Sequence, residues 1–186
     1  MELSTQLKKF DACTEGYEWA KGKTLTEAWS TCERGDWMLW YAAKVNIDRK
    51  LLVKAACACA RLALKFVPDG EQRPRITIET AEAWTEGKAS LNDVRTAAAA
   101  AYTAAYTAAD AAYTAADAAY AAADAADAAT YATDAAYAAT YAANAAADAA
   151  YAANATDAAY AHTTTLRVCA EIVRDMIPLD ALKGDK

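Results

Sequence analysis

The side chains able to do chemistry are few. Cys13, Cys32, Cys57, Cys59 and Cys169 include no Cys-x-x-Cys pair, and His162 is the only histidine. A structural zinc site needs four fitted ligands, and two cysteines two residues apart point away from one another on a helix. The pattern fits reduced core thiols in a cytosolic protein, with His162 as a solvent-facing or capping residue. Nothing supplies a nucleophile beside a base or a recognisable pair of acid/base carboxylates. The expectation is a protein that is not an enzyme, with no catalytic residues, no metal and no cofactor.

Charge divides the chain. Residues 1–95 hold 15 Lys and Arg against 14 Asp and Glu, and residues 166–186 hold four of each. Residues 96–165 hold seven Asp and no Lys or Arg, so the whole formal net charge of −6 comes from this segment. A nucleic-acid partner needs a basic face, and none is present in excess. A membrane span is excluded by Asp110, Asp117, Asp124, Asp127 and Asp134, each costing a few kcal/mol in the bilayer. Glu2 after Met1, with no early apolar run, gives no secretory signal, so a cytoplasmic location is expected.

Those residues must be positioned by helices, since no convincing strand can be read. Asp36 can cap "WMLWYAAKV" after Gly35, and Asn46 can cap "IDRKLLVKAACACARLALKFV", which stops before Pro68. Pro74 suits the first turn of "PRITIETAEAWTEG", and Gly87 closes it. Shorter helical pieces, "TQLKKFDAC" and "TEAWSTCER", lie upstream, separated by Gly16, Gly22 and Lys23. Leu51, Leu52, Ala55, Ala58, Cys59, Leu62 and Phe66 follow helical steps, giving that helix one wet face and one core face. Trp19, Trp29, Trp37, Trp40 and Trp84 are expected to supply the bulk of the core.

Ser90 with Asp93 makes a capping-box variant at the start of an Ala-rich tract that has no Gly or Pro before Ile177. Unbroken, that helix would run for about 130 Å. The heptad phases starting at Ala101 and Ala104 are alanine sixteen times in succession up to Ala153, although 21 of the 53 residues in that span are not alanine. Ala104, Ala108, Ala111, Ala115, Ala118 and Ala122 belong to this 3.5-residue seam, which lets two helices approach closer than the usual spacing. A hairpin packed on itself and a straight arm packed on a second subunit both satisfy it, and the unbroken phase favours the straight arm and a homo-oligomer. Thr130 to Thr133 and Thr163 to Thr165 are the candidate bends. Leu166, Cys169, Ile172, Val173 and Met176 then form an ordinary apolar stripe. The expected fold is all-α: a helical body over 1–90, a coiled-coil-like arm over 91–165, and a C-terminal helix over 166–178 docking on the body.

The stretches "CERGDWMLW", "ACACARLAL" and "RPRITIETAEAW", followed by the Ala/Tyr-rich tract and "LRVCAEIVRDMIP", resemble the bacterial immunity-protein family of polymorphic-toxin systems. The resemblance spans nearly the whole chain and implies a cytosolic protein that binds and neutralises a toxin by protein–protein contact. On that reading, Asp110, Asp117 and Asp124, flanked by Tyr106, Tyr113 and Tyr120, form the expected partner-binding ridge, since acidic steering and tyrosine anchors suit a basic toxin. Two alternatives stand beside it. Thr96 with Thr107, and Thr103 with Thr114, have the eleven-residue interval of an ice-binding (antifreeze-like) helix. The Ala seam alone would serve an architectural coiled-coil oligomer.

Overall fold

Short local signals fix most helix starts in the computed structural model, which describes residues 2–108 and 158–183 and, between them, 117, 120–122, 124–126, 141, 142, 145 and 147–149. The protein is all-helical, with no strand among the described residues. Helices α1 (Leu3–Lys9), α2 (Thr14–Ala20), α3 (Leu25–Thr31), α4 (Gly35–Lys44), α5 (Arg49–Arg61), α6 (Arg73–Thr85) and α7 (Leu91–Ala108) precede α8 (Ala158–Met176). Single 3₁₀ turns occupy Leu64–Phe66 and Leu179–Lys183. The Ser90 hydroxyl accepts the Asp93 amide at 3.2 Å while the Asp93 carboxylate accepts the Ser90 amide at 2.8 Å, the reciprocal bond expected before α7. Thr24 and Glu27 close the same box before α3. Pro74 lies in the first turn of α6, and Gly87 follows that helix at φ 76°.

Two expected caps are corrected. Asp36 lies inside the first turn of α4, where Arg34 is the N-cap, and its carboxylate is buried against the Arg34 guanidinium. Asn46 takes the left-handed conformation at φ 61°, so the chain turns there and Asp48 caps α5 instead, accepting the Lys50 amide at 2.8 Å. Gly16 also falls inside α2, not between helices; a Cβ there would stand 3.3 Å from Cys13 Sγ and 3.7 Å from the Trp37 ring.

Helix α5 is the centre of the body, packed on α6 to one side and on α4 and α8 to the other. Its run of small side chains permits this. Val53, Ala55, Ala56, Cys57, Cys59 and Ala60 are all fully buried, so the covered face is wider than the predicted stripe, in which Leu51, Ala58, Leu62 and Phe66 are only half-buried. Lys54 marks the wet side. Cys57 and Cys59 do point apart, toward the Ile78 carbonyl on α6 and the Cys169 carbonyl on α8. Helix α8 buries Leu166, Cys169 and Val173 of its stripe. It runs unbroken through Thr163 to Thr165, and no bend forms there. The Thr163 and Thr165 hydroxyls donate to the carbonyls four residues back, at 2.9 Å each.

The straight arm is overturned by two contacts. Tyr102 Oη donates to Asp124 Oδ1 at 3.0 Å, whereas a continuous helix would hold these residues about 33 Å apart along its axis. His162 Nε2 lies 3.4 Å from Asp148 Oδ1, across a separation of about 21 Å in a continuous helix. The chain therefore folds back at least twice after α7. Of the seam, Ala101, Ala104, Ala122 and Ala125 are buried, but Ala121, Ala126, Ala142, Ala147 and Ala149, off the seam, are equally covered. Most of these join the same buried cluster as Leu39 and Val53, so the tract packs onto the body of its own chain.

Candidate functional site

The first four helices are short, three of them of seven residues, and they carry four of the five tryptophans. Short helices bearing indoles cannot close completely around one another. Between α1 and α4 they leave a cleft of about 320 Å³. Trp19, Trp29, Trp37 and Trp40 wall it, with Leu7 and Met38 in its floor, while the exposed Asp11, Cys13 and Tyr141 mark its mouth. Tyr141 comes from the Ala-rich tract, which thus contributes to a site in the body. The tryptophans are not the solid core expected of them. Only Trp29 is buried; the others are half-buried around the cleft, and Trp84 lies elsewhere, with the Arg49 guanidinium 5.3 Å from its ring.

The cleft's buried polar groups are already matched, while the Asp11 carboxylate at its mouth stands in water. Arg34 grips Asp36 through two bonds of 2.9 and 2.6 Å, and the same guanidinium lies 4.4 Å from the Trp37 ring centre. Tyr41 Oη donates to Gln6 at 2.9 Å. Arg174 reaches over from α8 and donates to the Cys32 carbonyl at 2.6 Å, fixing the end of α3 against α8. Burial pushes the Cys32 thiol up to about 11, so at neutral pH it is protonated and a poor nucleophile. All five cysteines are free, with Cys13 exposed and the other four buried.

A second cluster lies in the tract. Asp117 is half-buried near Asp148, 31 residues further on; loss of water, and after it the like charge of Asp148, holds the Asp117 carboxyl above the ordinary range. Of the expected ridge, Asp124 and Tyr120 are half-buried and face Tyr102, through the hydrogen bond above and a ring contact of 6.0 Å. Asp110 and Tyr113, like the seam residues Ala111, Ala115 and Ala118, lie outside the described residues; Tyr106 and Ala108 are described only as helical backbone of α7. The fold thus brings Asp117 to Asp148 and turns Tyr120 and Asp124 toward α7.

Tyr141 was not singled out from the sequence, and Cys13, expected there as one of five core thiols, is instead exposed at the cleft mouth. Both are placed at the cleft by packing between distant segments, and no local pattern announces it. Four tryptophans within 22 residues on short helices were the available signal. Among the described residues no group of His, Cys, Asp or Glu could hold a metal, and no helix is long and apolar enough to cross a membrane. No protein-family model, curated protein or solved structure matches the chain.

Proposed function

We propose that the protein acts by binding a protein partner, as an immunity protein that neutralises a toxin by contact. The observation that carries this is the concentration of the net charge: seven Asp and no Lys or Arg over residues 96–165, with Asp117 and Asp148 brought near one another. Like charges held together raise the energy of the unbound protein, and a basic partner surface would relieve that repulsion while gaining association rate from steering. Asp148, with about 57% of its side chain exposed, and the exposed Tyr141 and Tyr160 are each within reach of a partner. Asp124 and Tyr120 are held within the chain by Tyr102, which shifts the proposed contact away from these two members of the predicted ridge to its Asp117 together with Asp148.

The ice-binding and coiled-coil readings draw less support. The Thr96 and Thr103 hydroxyls each donate to a carbonyl of their own helix at 2.9 Å. Ala101, Ala104, Ala122 and Ala125 of the seam are covered within one chain and need no second copy.

The test is co-expression of the protein with the toxin encoded beside its gene. Rescue of growth that weakens in the Asp117→Asn, Asp148→Asn double variant is the expected result. Full rescue by that variant would remove these carboxylates from the contact, and a harmless neighbouring gene product would remove the immunity reading.

A further inference from the structure

We propose that the tryptophan-walled cleft of α1 to α4 is a binding site for a small, neutral, planar molecule of two fused rings, the size of indole or naphthalene. Volume sets the size: an apolar cavity of about 150 Å³ accepts benzene, and this one is about twice as large, at about 320 Å³. The walls set the shape. Trp19 and Trp37 stand 6.0 Å apart at an interplanar angle of 58°, so a flat ring can lie against either indole.

Charge excludes the obvious competitor, an ammonium held in an aromatic cage. Each half-buried tryptophan of the cleft already has a protein cation near its ring, with Lys23 at 4.3 Å from Trp19, Arg34 at 4.4 Å from Trp37 and Lys44 at 5.7 Å from Trp40. A ring whose electrons are drawn toward one cation holds a second less well. The buried carboxylate in the wall, Asp36, is neutralised by Arg34, and the other, Asp11, stands in water at the mouth, outside the aromatic walls. Among the described residues no buried side-chain nitrogen or oxygen lacks a hydrogen-bond partner, so no group waits inside for a polar ligand. Stacking and exclusion of water are what the cleft offers, and a neutral aromatic uses both. The mouth between Cys13 and Tyr141 gives access, and Tyr141 can lie over a bound ring.

Calorimetric titration with indole, and with tryptamine and indole-3-acetate as its cationic and anionic counterparts, tests the site. Indole is expected to bind one to one with a dissociation constant below about 1 mM, and each charged counterpart at least about tenfold more weakly. Trp19→Ala, which removes a wall, and Ala28→Leu, which fills the space, should each weaken indole binding by about tenfold or more. Thermal melting establishes that each variant is folded, and if Ala28→Leu is not, Trp19→Ala decides. Absence of saturable indole binding by the folded wild type overturns the proposal. So does tighter binding of tryptamine, or unchanged binding by the folded variants.

Discussion

The body and the tract solve the same packing problem in opposite ways. The body uses a few large side chains on short helices, and it closes around a space. The tract uses many methyl groups, which are small enough to leave little space: nine of its described alanines from Ala101 to Ala149 are 2% exposed or less. A methyl contributes only about 0.8 kcal/mol on burial, so the tract needs length where the body needs bulk. The difference also separates the two proposals. Indoles that cannot close leave the cleft proposed to take an aromatic ligand, whereas the contact proposed for the tract rests on the carboxylates around its alanines.

Breaking the body should cost most. A Cβ on Gly35 would fall 2.4 Å from Cys169 Cβ and 2.7 Å from the Cys169 carbonyl carbon, so Gly35→Val forces α4 away from α8. A loss of about 3 kcal/mol or more is expected by urea unfolding. In the tract, Ala122→Leu puts three extra carbons where the alanine is fully buried. The expected loss is about 2 kcal/mol, and a neutral result in the same assay would show that the tract yields where the body does not.

Ala28→Leu should act in the other direction, because Ala28 borders the cleft. A gain of about 1 kcal/mol is expected, read as a higher melting temperature in the absence of ligand. A loss would mean that the walls are already closed at Ala28.

The smallest effect concerns Asp117. Its folded-state carboxyl holds a proton above the ordinary range, so the protonated form adds stability below the unfolded-state value, and that contribution is lost as pH rises through the folded-state value. At neutral pH the ionised group therefore opposes folding. Asp117→Asn should stabilise by well under about 1 kcal/mol at neutral pH, since the group is only half-buried and the remaining solvent screens it. The gain should disappear in acid, and melting curves across that range would reveal it.

The sequence announces features whose cause is local. Ser90 with Asp93, Pro74 and Gly87 act over three or four residues, and each sits where expected. Asn46 and Asp48 are both good caps two residues apart; the choice fell to Asp48 because Asn46 was needed for the turn at φ 61°. The fold-back of the tract could not be read, because alanine favours helix at every step and the reversal is held by partners such as Tyr102 and Asp124, 22 residues apart. The all-helical fold was legible. The cleft was not, since it is the space that distant side chains fail to fill.

The contact of α8 with the body sets the order in which the chain can finish folding. Cys59 reaches Cys169 across 110 residues, and Arg174 reaches the carbonyl of Cys32 across 142. During synthesis, α4 and α5 emerge long before the helix that covers them. Until then Leu39, Val53 and Cys59 lack part of their cover, while the intervening tract can coil locally and quickly. The nascent body is therefore most exposed to proteases and chaperones in the interval the ribosome takes to cross the alanine codons, and a slower passage there would lengthen that exposure.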